Sequence, residues 1–142
     1  MAKIRAENKR IYIAGPLCNR EERLFLEKID SICKKLGFST FLPHRDAGLF
    51  KDIKDIEKIA KKDFEEIYNC DLMIGILNGI CVGAGTSWEM GYAQALGKPV
   101  IGLKTDRTIN ESISDISVII AGKVKIVESI EELKKALERF IK

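Results

Sequence analysis

The sequence lacks the features that mark membrane, secreted and nucleic-acid-binding proteins. No apolar run approaches the roughly 18 residues that a membrane-spanning helix needs. The N-terminal stretch MAKIRAENKRIYIAG has no signal-peptide core, because its apolar residues form only a short segment. A net charge of +3 is too small, and its charges too scattered, for a nucleic-acid-binding surface. We therefore expect a cytoplasmic protein that binds neither membranes nor nucleic acids.

Metal-binding patterns are also missing from the sequence. The chain has a single histidine, His44, and its four cysteines, Cys18, Cys33, Cys70 and Cys81, show no C-x-x-C spacing. A structural zinc site would need a tighter cluster of ligands. We therefore expect no metal and no organic cofactor, and we expect reduced thiols that are mostly packed inside the protein.

The length and composition indicate one globular domain. The chain has 142 residues, of which 46% are hydrophobic and 32% are charged, as is typical of a protein with a single core. Neither a repeat nor a linker-like segment divides the chain. We therefore predict one domain over residues 1–142.

Short apolar segments alternate with stretches whose apolar residues recur at helical spacing. The segments predicted as strands are residues 11–15, 38–43, 71–77, 99–103 and 123–127. We expect Pro43 to close the second strand, Gly37 and Gly97 to end helices, and Ser129 and Glu132 to open the last helix as a capping box. This alternation predicts an α/β fold, in which a five-stranded parallel sheet carries helices on both faces.

Four loops should meet at one edge of this sheet. In open parallel sheets, ligands bind beyond the carboxyl ends of the strands, near the point where the strand order switches. The segments expected there are residues 15–19, 43–48, 78–89 and 104–117. The candidate substrate-binding residues in the first three segments are Gly15, Pro16, Leu17, His44, Arg45, Gly83 and Gly85.

Glu89 is the first of two unusual carboxylates. It stands three residues after Thr86, where the glycine-rich turn GAGTS becomes a predicted helix, and this spacing matches a capping box. The spacing therefore favours a role in capping the helix. A helix N-terminus also stabilises a carboxylate anion, which a nucleophile requires, so the two roles are compatible.

Asp63 is the second unusual carboxylate. It occupies an apolar helical stripe with Ile56, Ile59 and Ile67, where a charge is costly unless it is paired, hydrogen-bonded or protonated. The side chain could turn to solvent at the edge of the helix. If it points inward, burial raises its pKa and suits it to general acid catalysis. Tyr12, in the first strand, could orient such a carboxylate through its hydroxyl, or it could be an ordinary core aromatic.

Four blocks of the sequence together resemble the nucleoside 2-deoxyribosyltransferase family. They are IYIAGPL, LPHRDAGL, DFEEIYNCDLMIGIL and GTSWEMGYAQALGKPVIGL, which follow the family's order over roughly residues 10–120. The resemblance implies a flavodoxin-like, doubly wound fold. It also implies an enzyme that breaks the N-glycosidic bonds of deoxyribonucleosides.

The resemblance also implies three catalytic residues. Residues 85–93 match the family's G-x-x-x-E-x-G-Y-A pattern, which makes Glu89 the nucleophile. The family's second catalytic carboxylate stands eight residues before the aspartate that opens a strand, here Asp71, and therefore falls on Asp63. The family's tyrosine near the end of the first strand, which holds the glutamate, falls on Tyr12.

Three positions bear on the substrate. Many family members hold the sugar with an aspartate six residues before the nucleophile, where this chain has Gly83. The related 2′-deoxynucleoside 5′-monophosphate N-hydrolases hold phosphate with a serine after the first glycine, where this chain has Pro16. Ser117, in contrast, aligns with a serine or asparagine that reaches a neighbouring subunit's site, and serine is the choice of the monophosphate hydrolases.

The predicted activity is a double displacement on 2′-deoxyribonucleosides. Glu89 attacks C1′ while Asp63 assists the departing base, and a second base or water resolves the glycosyl-enzyme with retention of configuration, as in retaining glycosidases. One alternative is a 2′-deoxynucleoside 5′-monophosphate N-hydrolase. GAGTSWE also resembles the G-G-x-G-T-x-x-E motif of cytokinin-activating phosphoribohydrolases, although their preceding Pro-Gly-Gly is absent. Because of Gly83, a non-catalytic nucleotide-binding module is a further alternative.

We also expect a homodimer or a higher homo-oligomer. The segment 111–122 carries Ile113, Ile116, Ile119 and Ile120 at helical spacing, so that one face could cover the sheet while the rest pairs with a second chain. The resemblance adds that family members share active sites between subunits, which would place Ser117 near the partner's nucleophile. Alternatively, the stripe packs entirely within its own domain.

Overall fold

The computed structural model describes residues 8–141. Its strands are β1 (Arg10–Ala14), β2 (Ser39–Phe41), β3 (Leu72–Ile76), β4 (Val100–Leu103) and β5 (Lys125–Val127). Its helices are α1 (Arg20–Lys35), α2 (Pro43–Asp46), α3 (Asp55–Asn69), α4 (Ala84–Ala95), α5 (Ile109–Ile116), α6 (Val118–Lys123) and α7 (Ile130–Glu138). Within this described part, no helix has both the length and the apolar character needed to cross a membrane. Two predictions extend beyond the described residues. The absence of a signal peptide was argued from residues 1–15, and the predicted domain spans residues 1–142.

The five strands form one parallel sheet in the order β2-β1-β3-β4-β5. The order reverses between β1 and β3, which is the switch point of a flavodoxin-like sheet. At this point Tyr12 of β1 pairs in register with Met73 of β3. The predicted flavodoxin-like, doubly wound α/β fold is confirmed.

Helices cover both faces of the sheet. The helices α1 and α7 bury their apolar residues against one face, which includes Ile11 and Ile13 of β1. The other face packs against α3, α4, α5 and α6 and includes Tyr12 and Ala14. Because successive side chains of a strand point to opposite faces, this alternation places Tyr12 on the side of α3 and α4.

The predicted helix ends agree with the structure in most places. Gly37 and Gly97 follow α1 and α4 with positive φ angles of 99° and 76°, a backbone conformation that glycine adopts without a steric penalty. Ser129 caps α7 by accepting a hydrogen bond from the amide of Glu132 at 3.1 Å. A capping box would also have the carboxylate of Glu132 accept a hydrogen bond from the amide of Ser129. In the structure this carboxylate accepts instead from the amide of Glu128, at 2.8 Å.

Two local predictions were wrong. Pro43 does not close the second strand, which ends at Phe41, but is the first residue of the short helix α2. Proline is tolerated at this position because the first N–H groups of a helix have no partner within the helix. The segment 111–122 is not one continuous helix, because Ser117 has a φ of 80° and separates α5 from α6. As a result, Ile116 is buried while Ile119 is exposed.

The cysteines follow the expectation only in part. All four lie within the described residues and have free thiols. Cys33 and Cys70 are buried in the two cores, but Cys18 and Cys81 are exposed in loops that follow β1 and β3. The thiols are therefore packed at two positions rather than at most of them.

Candidate active site

A cavity of about 340 Å³ opens between α3 and α4, on the sheet face that carries Tyr12. Its lining residues are Ala60, Asp63, Phe64, Ile67, Gly85, Trp88 and Glu89. Among these described lining residues, two carboxyl groups are the only ionisable groups, and the rest of the wall is apolar or aromatic. Among residues 8–141, no three or more His, Cys, Asp or Glu side chains form a group that could hold a metal ion.

Tyr12 holds Glu89 by a short hydrogen bond from its hydroxyl to Oε2 of the carboxylate. The tyrosine is fully buried, and its ring stacks on Phe41 with the ring centroids 5.2 Å apart. Burial raises the pKa of Tyr12 far above its usual value, and the nearby carboxylates of Glu89 and Asp63 raise it further. Tyr12 is therefore a fixed donor that stays protonated at physiological pH.

Burial raises the pKa of Glu89 to about 7. The hydrogen bond from Tyr12 acts in the opposite direction, because it stabilises the anion, while the charge of Asp63 raises the pKa further. Glu89 is thus ionised in a substantial fraction of molecules near neutral pH. An ionised carboxylate in an apolar cavity is weakly solvated, as suits a nucleophile.

Asp63 faces the same cavity from α3. Burial raises the pKa of this carboxyl to about 6, and its Oδ1 atom is buried without a hydrogen-bond partner among the described residues. Buried polar atoms nearly always have a partner, so an orphan oxygen in a cavity indicates a place where a ligand or water binds. Its position next to Glu89 also means that the two carboxyl groups share one ligand space.

The predicted capping role of Glu89 was wrong. The cap residue of α4 is Gly83, without a side-chain hydrogen bond, and Thr86 is buried inside the first turn. Glu89 therefore lies in the second turn, beyond reach of the free amides at the helix start. Its carboxylate turns toward the sheet and Tyr12, which is a contact 77 positions away in the chain.

The close packing of α4 against the sheet positions Glu89. Gly75 of β3 lies directly under Met90, and a Cβ atom on Gly75 would stand 2.4 Å from the Met90 sulfur. The absent side chain lets the helix approach β3 closely. Since Met90 follows Glu89 in the chain, this approach brings the carboxylate within reach of the Tyr12 hydroxyl.

The glycines predicted to contact the substrate occupy three different environments. Gly85 lines the cavity, and a Cβ atom there would lie 3.9 Å from Oε1 of Glu89. Gly83 is the cap residue of α4. Gly15 is buried at the end of β1, where a Cβ atom would stand 2.7 Å from Leu26, so its missing side chain is needed for packing.

The other predicted substrate-binding residues do not line this cavity. His44 contacts Glu27 of α1 at 3.0 Å, and Arg45 contacts Asp30 of the same helix at 3.0 Å. Leu17 packs against the core on the side of α1, and Pro16 precedes it in a half-buried turn. Ser117 is exposed between α5 and α6. The structure thus brings together Tyr12, Asp63, Gly85 and Glu89, while these five residues lie elsewhere.

Sequence reasoning missed two aromatic residues of the cavity, Phe64 and Trp88. Both occupy positions that fit apolar helical stripes in the sequence, but the structure leaves 45% of Phe64 and 60% of Trp88 exposed. Each is the chain neighbour of a candidate catalytic carboxylate, Phe64 after Asp63 and Trp88 before Glu89. This adjacency could have identified both aromatic residues from the sequence, because the chain neighbour of a cavity residue lies close to the cavity.

Comparison with known proteins agrees with this fold. The family model described as nucleoside 2-deoxyribosyltransferase matches residues 11–126. A conserved protein from Enterococcus faecalis V583 is similar in structure, with a TM-score of 0.72 and 25% identity over 93% of this chain and 98% of that chain. A 2-deoxyribosyltransferase from Bacillus psychrosaccharolyticus gives a TM-score of 0.71 and 25% identity over 88% and 90% of the two chains.

The fold is shared more widely. A 2-deoxyribosyltransferase from Leishmania mexicana aligns with a TM-score of 0.69 at 22% identity, over 94% of this chain and 97% of that chain. Among curated proteins, no sequence matches this chain.

Proposed function

Because this chain belongs to the nucleoside 2-deoxyribosyltransferase family, we propose that it cleaves the N-glycosidic bond of 2′-deoxyribonucleosides and passes the deoxyribosyl group to another base or to water. The observation that carries the proposal is the hydrogen bond from Tyr12 to Glu89 in a cavity that also contains Asp63. A nucleophile, the group that orients it and an acid are the three parts that this reaction needs.

In the first half of the reaction, a carboxylate oxygen of Glu89 forms a bond to C1′ as the bond from C1′ to the base breaks. Tyr12 holds Oε2 of this carboxylate, and Oε1 lies on the side of Gly85. The electron pair of the broken bond goes to the base nitrogen, and protonated Asp63 supplies a proton to the base. The raised pKa of Asp63 supports this role, because an acid with a pKa of about 6 retains its proton closer to neutral pH.

In the second half, a new base or a water molecule attacks C1′ of the glycosyl-enzyme. The bond to Glu89 breaks, and its electron pair returns to the carboxylate, which Tyr12 again stabilises. Asp63, now ionised, accepts the proton that the attacking nitrogen or water loses. Two displacements at C1′ retain its configuration. The apolar walls of the cavity favour a base over water as the acceptor.

Incubation with deoxyinosine and adenine tests this proposal. We expect deoxyadenosine and hypoxanthine in equal amounts, and a protein mass increased by one deoxyribosyl group when deoxyinosine is added alone. Hypoxanthine without deoxyadenosine would make the protein a hydrolase. Deoxyinosine 5′-monophosphate is assayed in parallel, and base release from it alone would replace the proposal by a monophosphate N-hydrolase. No base release from either substrate would leave only a binding module.

The proposed enzyme is a homo-oligomer that acts in the cytoplasm on free nucleosides, as a salvage enzyme would. Exposed apolar residues support the assembly. They lie before and in α3, at Leu49, Phe50, Ile53 and Ile56, and on α5 and α6, at Ile113, Val118 and Ile119. Several exposed apolar residues on neighbouring helices favour an interaction site. The segment around Ser117 would then help to complete the site of a neighbouring subunit.

A further inference from the structure

Two aromatic rings stand at the cavity without being buried by the protein. Phe64 and Trp88 both line it, and they remain 45% and 60% exposed. Their ring centroids are 6.3 Å apart, and the ring planes are inclined by 48°, so they do not stack on each other. Large aromatic surfaces in a concave site gain free energy when a flat ligand covers them.

A third aromatic residue holds these rings in place. Tyr92 stacks on Phe64, with centroids 4.4 Å apart and planes 18° apart, and it lies one helical turn from Trp88 with centroids 5.6 Å apart. Tyr92 does not line the cavity. It therefore supports Phe64 and Trp88 from behind, so that their orientation is set before any ligand binds.

The chemistry of the cavity identifies the ligand group that fits these rings. The wall beside them is formed by Ala60 and Ile67, and the two polar side chains in reach are Asp63 and Glu89. Among residues 8–141, no lysine or arginine lines the cavity, so no side chain of this described part would neutralise an anionic group there. A flat, uncharged ring system with polar nitrogen atoms at its edge satisfies both the aromatic walls and the orphan Oδ1 atom of Asp63.

We propose that Phe64 and Trp88 form the subsite for the nucleobase and that this subsite prefers purines to pyrimidines. The inference rests on the proposed function, because it assigns the cavity to the departing and accepting bases. A fused two-ring base covers more of two separate aromatic side chains than a single ring does. Stacking of a base on an aromatic side chain contributes about 1–3 kcal/mol, and the gain increases with the area in contact.

The aromatic residues also place the base near the two carboxyl groups. Phe64 follows Asp63 on α3, Trp88 precedes Glu89 on α4, and all four residues line the same cavity. A base in contact with either ring therefore lies close to the proposed acid and the proposed nucleophile. The aromatic residues thereby act as specificity and positioning residues, while the two carboxyl groups carry out the chemistry.

Tryptophan fluorescence tests base binding without any catalytic turnover. Trp88 is the single tryptophan of the chain, so the signal reports on this ring alone. Titration of the wild-type protein with free adenine should quench the fluorescence in a saturable manner, whereas free deoxyribose should leave it unchanged. Cytosine should quench with a weaker apparent affinity. The absence of saturable quenching by any base would overturn the subsite.

Substitutions then distinguish stacking from a general structural effect. Phe64→Leu should weaken adenine binding about 5- to 150-fold, which corresponds to the range for one stacking contact. Tyr68→Leu is the matched control, since Tyr68 is a 61% exposed aromatic on the same helix and does not line the cavity. It should bind adenine like the wild type. An equal loss in both variants would contradict the assignment.

The kinetic test uses the ratio of purine to pyrimidine substrates. Trp88→Leu should lower kcat/KM for deoxyadenosine more than for deoxycytidine, and Trp88→Phe should restore most of the difference because it keeps a ring. Equal losses on both substrates would mean that Trp88 has only a structural role, and the subsite would be wrong even in an active transferase. If the protein cleaves no nucleoside but adenine still quenches Trp88 and Phe64→Leu weakens that binding, the subsite stands and the proposed reaction fails.

Discussion

At the scale of single residues, the site depends on two carboxyl groups that burial makes less acidic. Solvent would stabilise both anions, and the cavity replaces that solvent by apolar side chains. Glu89 receives one compensating hydrogen bond from Tyr12, whereas Oδ1 of Asp63 receives none among the described residues. Burial thus brings both pKa values close to neutral pH, about 7 for Glu89 and about 6 for Asp63, so both carboxyl groups can gain or lose a proton in the range where acid and base catalysis is efficient.

Glu89→Gln should reduce kcat by a factor of about 10⁴ or more, because the amide cannot form the covalent intermediate. Its side-chain oxygen can still accept the hydrogen bond from Tyr12, so we expect the melting temperature to stay close to that of the wild type. Glu65→Gln, a change on the exposed part of α3, is the control and should be fully active. Base exchange at the wild-type rate by Glu89→Gln would refute the nucleophile.

Asp63→Asn should lower kcat about 10²- to 10⁴-fold, as expected for the loss of a general acid, with a smaller change in KM. It should also affect stability. The pKa of Asp63 is raised from 3.8 to about 6 in the folded state, so the folded chain binds this proton more tightly, and the stability it contributes is lost as pH rises from about 4 through about 6. Asparagine does not ionise, and the variant should therefore melt above the wild type at pH 8.

The control for this stability effect is the same comparison near pH 4, where the wild-type carboxyl keeps its proton and the difference should vanish. The gain at pH 8 should be modest, because Asp63 is only half-buried and solvent screens part of the effect. A melting temperature that falls at pH 8 would indicate that ionised Asp63 stabilises the fold. A variant whose only kinetic defect is a raised KM would make Asp63 a binding residue.

The pH profile of kcat/KM should be bell-shaped, with its maximum between pH 6 and 7. The rate rises with pH as Glu89 ionises with a pKa of about 7, and it falls as Asp63 loses its proton with a pKa of about 6. Asp63→Asn should remove the alkaline limb, because asparagine does not titrate, so that the rate rises to a plateau as Glu89 ionises. A flat profile from about pH 5 to 8 would contradict these roles.

At the scale of secondary-structure elements, the contact between α4 and β3 decides where Glu89 stands. Met90 is buried, and its side chain lies over Gly75 without room for even one added carbon. Interiors packed at this density transmit a local change to neighbouring atoms. A small shift of α4 away from the sheet therefore moves the carboxylate away from the fixed hydroxyl of Tyr12.

Gly75→Ala should destabilise the protein by about 1–3 kcal/mol through overpacking and should also lower kcat, because it pushes Met90 and the following turn of α4 outward. Gly91→Ala is the matched control. A Cβ atom at Gly91 would have no atom of the described residues within 4 Å, so this change in the same helix should stabilise the protein by about 0.5–1 kcal/mol. Urea unfolding and steady-state kinetics measure both. Equal effects of the two changes would show that α4 is not held by close approach at Gly75.

At the scale of the whole molecule, the chain exposes apolar residues on two parts of one face of the sheet. Those of α5 and α6 follow from the break at Ser117, which turns Val118 and Ile119 outward while Ile116 stays in the core. Surface of this kind is rare on monomers unless it binds a partner. Symmetric pairing with a second copy is the commonest way in which soluble proteins cover it.

Light scattering at micromolar concentration should give at least twice the 16.0 kDa mass of one chain. Mixing Glu89→Ala chains with Ser117→Trp chains should then restore part of the activity that each variant lacks, because one site of the hybrid combines an intact Glu89 with an intact Ser117. A monomer would refute the shared site. So would confirmed hybrids without any activity, since each site would then be built from one chain.

Local pattern was sufficient for the fold and for the positions of most elements. The five strands, the glycines that end α1 and α4 and the apolar faces depend on contacts between near neighbours and on burial, and both leave periodic marks in a sequence. The family motifs likewise identify residues by order and spacing. The errors at Pro43 and Ser117 arose because one residue can end an element or begin the next, and only the path of the chain decides between the two.

The arrangement of the site was decided by tertiary structure. Thr86 and Glu89 have the spacing of a capping box, yet Glu89 bonds to Tyr12, which is distant in the chain and lies on a neighbouring element. Phe64 and Trp88 fit the apolar spacing of their helices, but that spacing does not distinguish a core position from a cavity wall. The physical reason is common to both cases: periodicity records which side of a helix avoids water, whereas the partner on that side depends on how the sheet brings distant segments together.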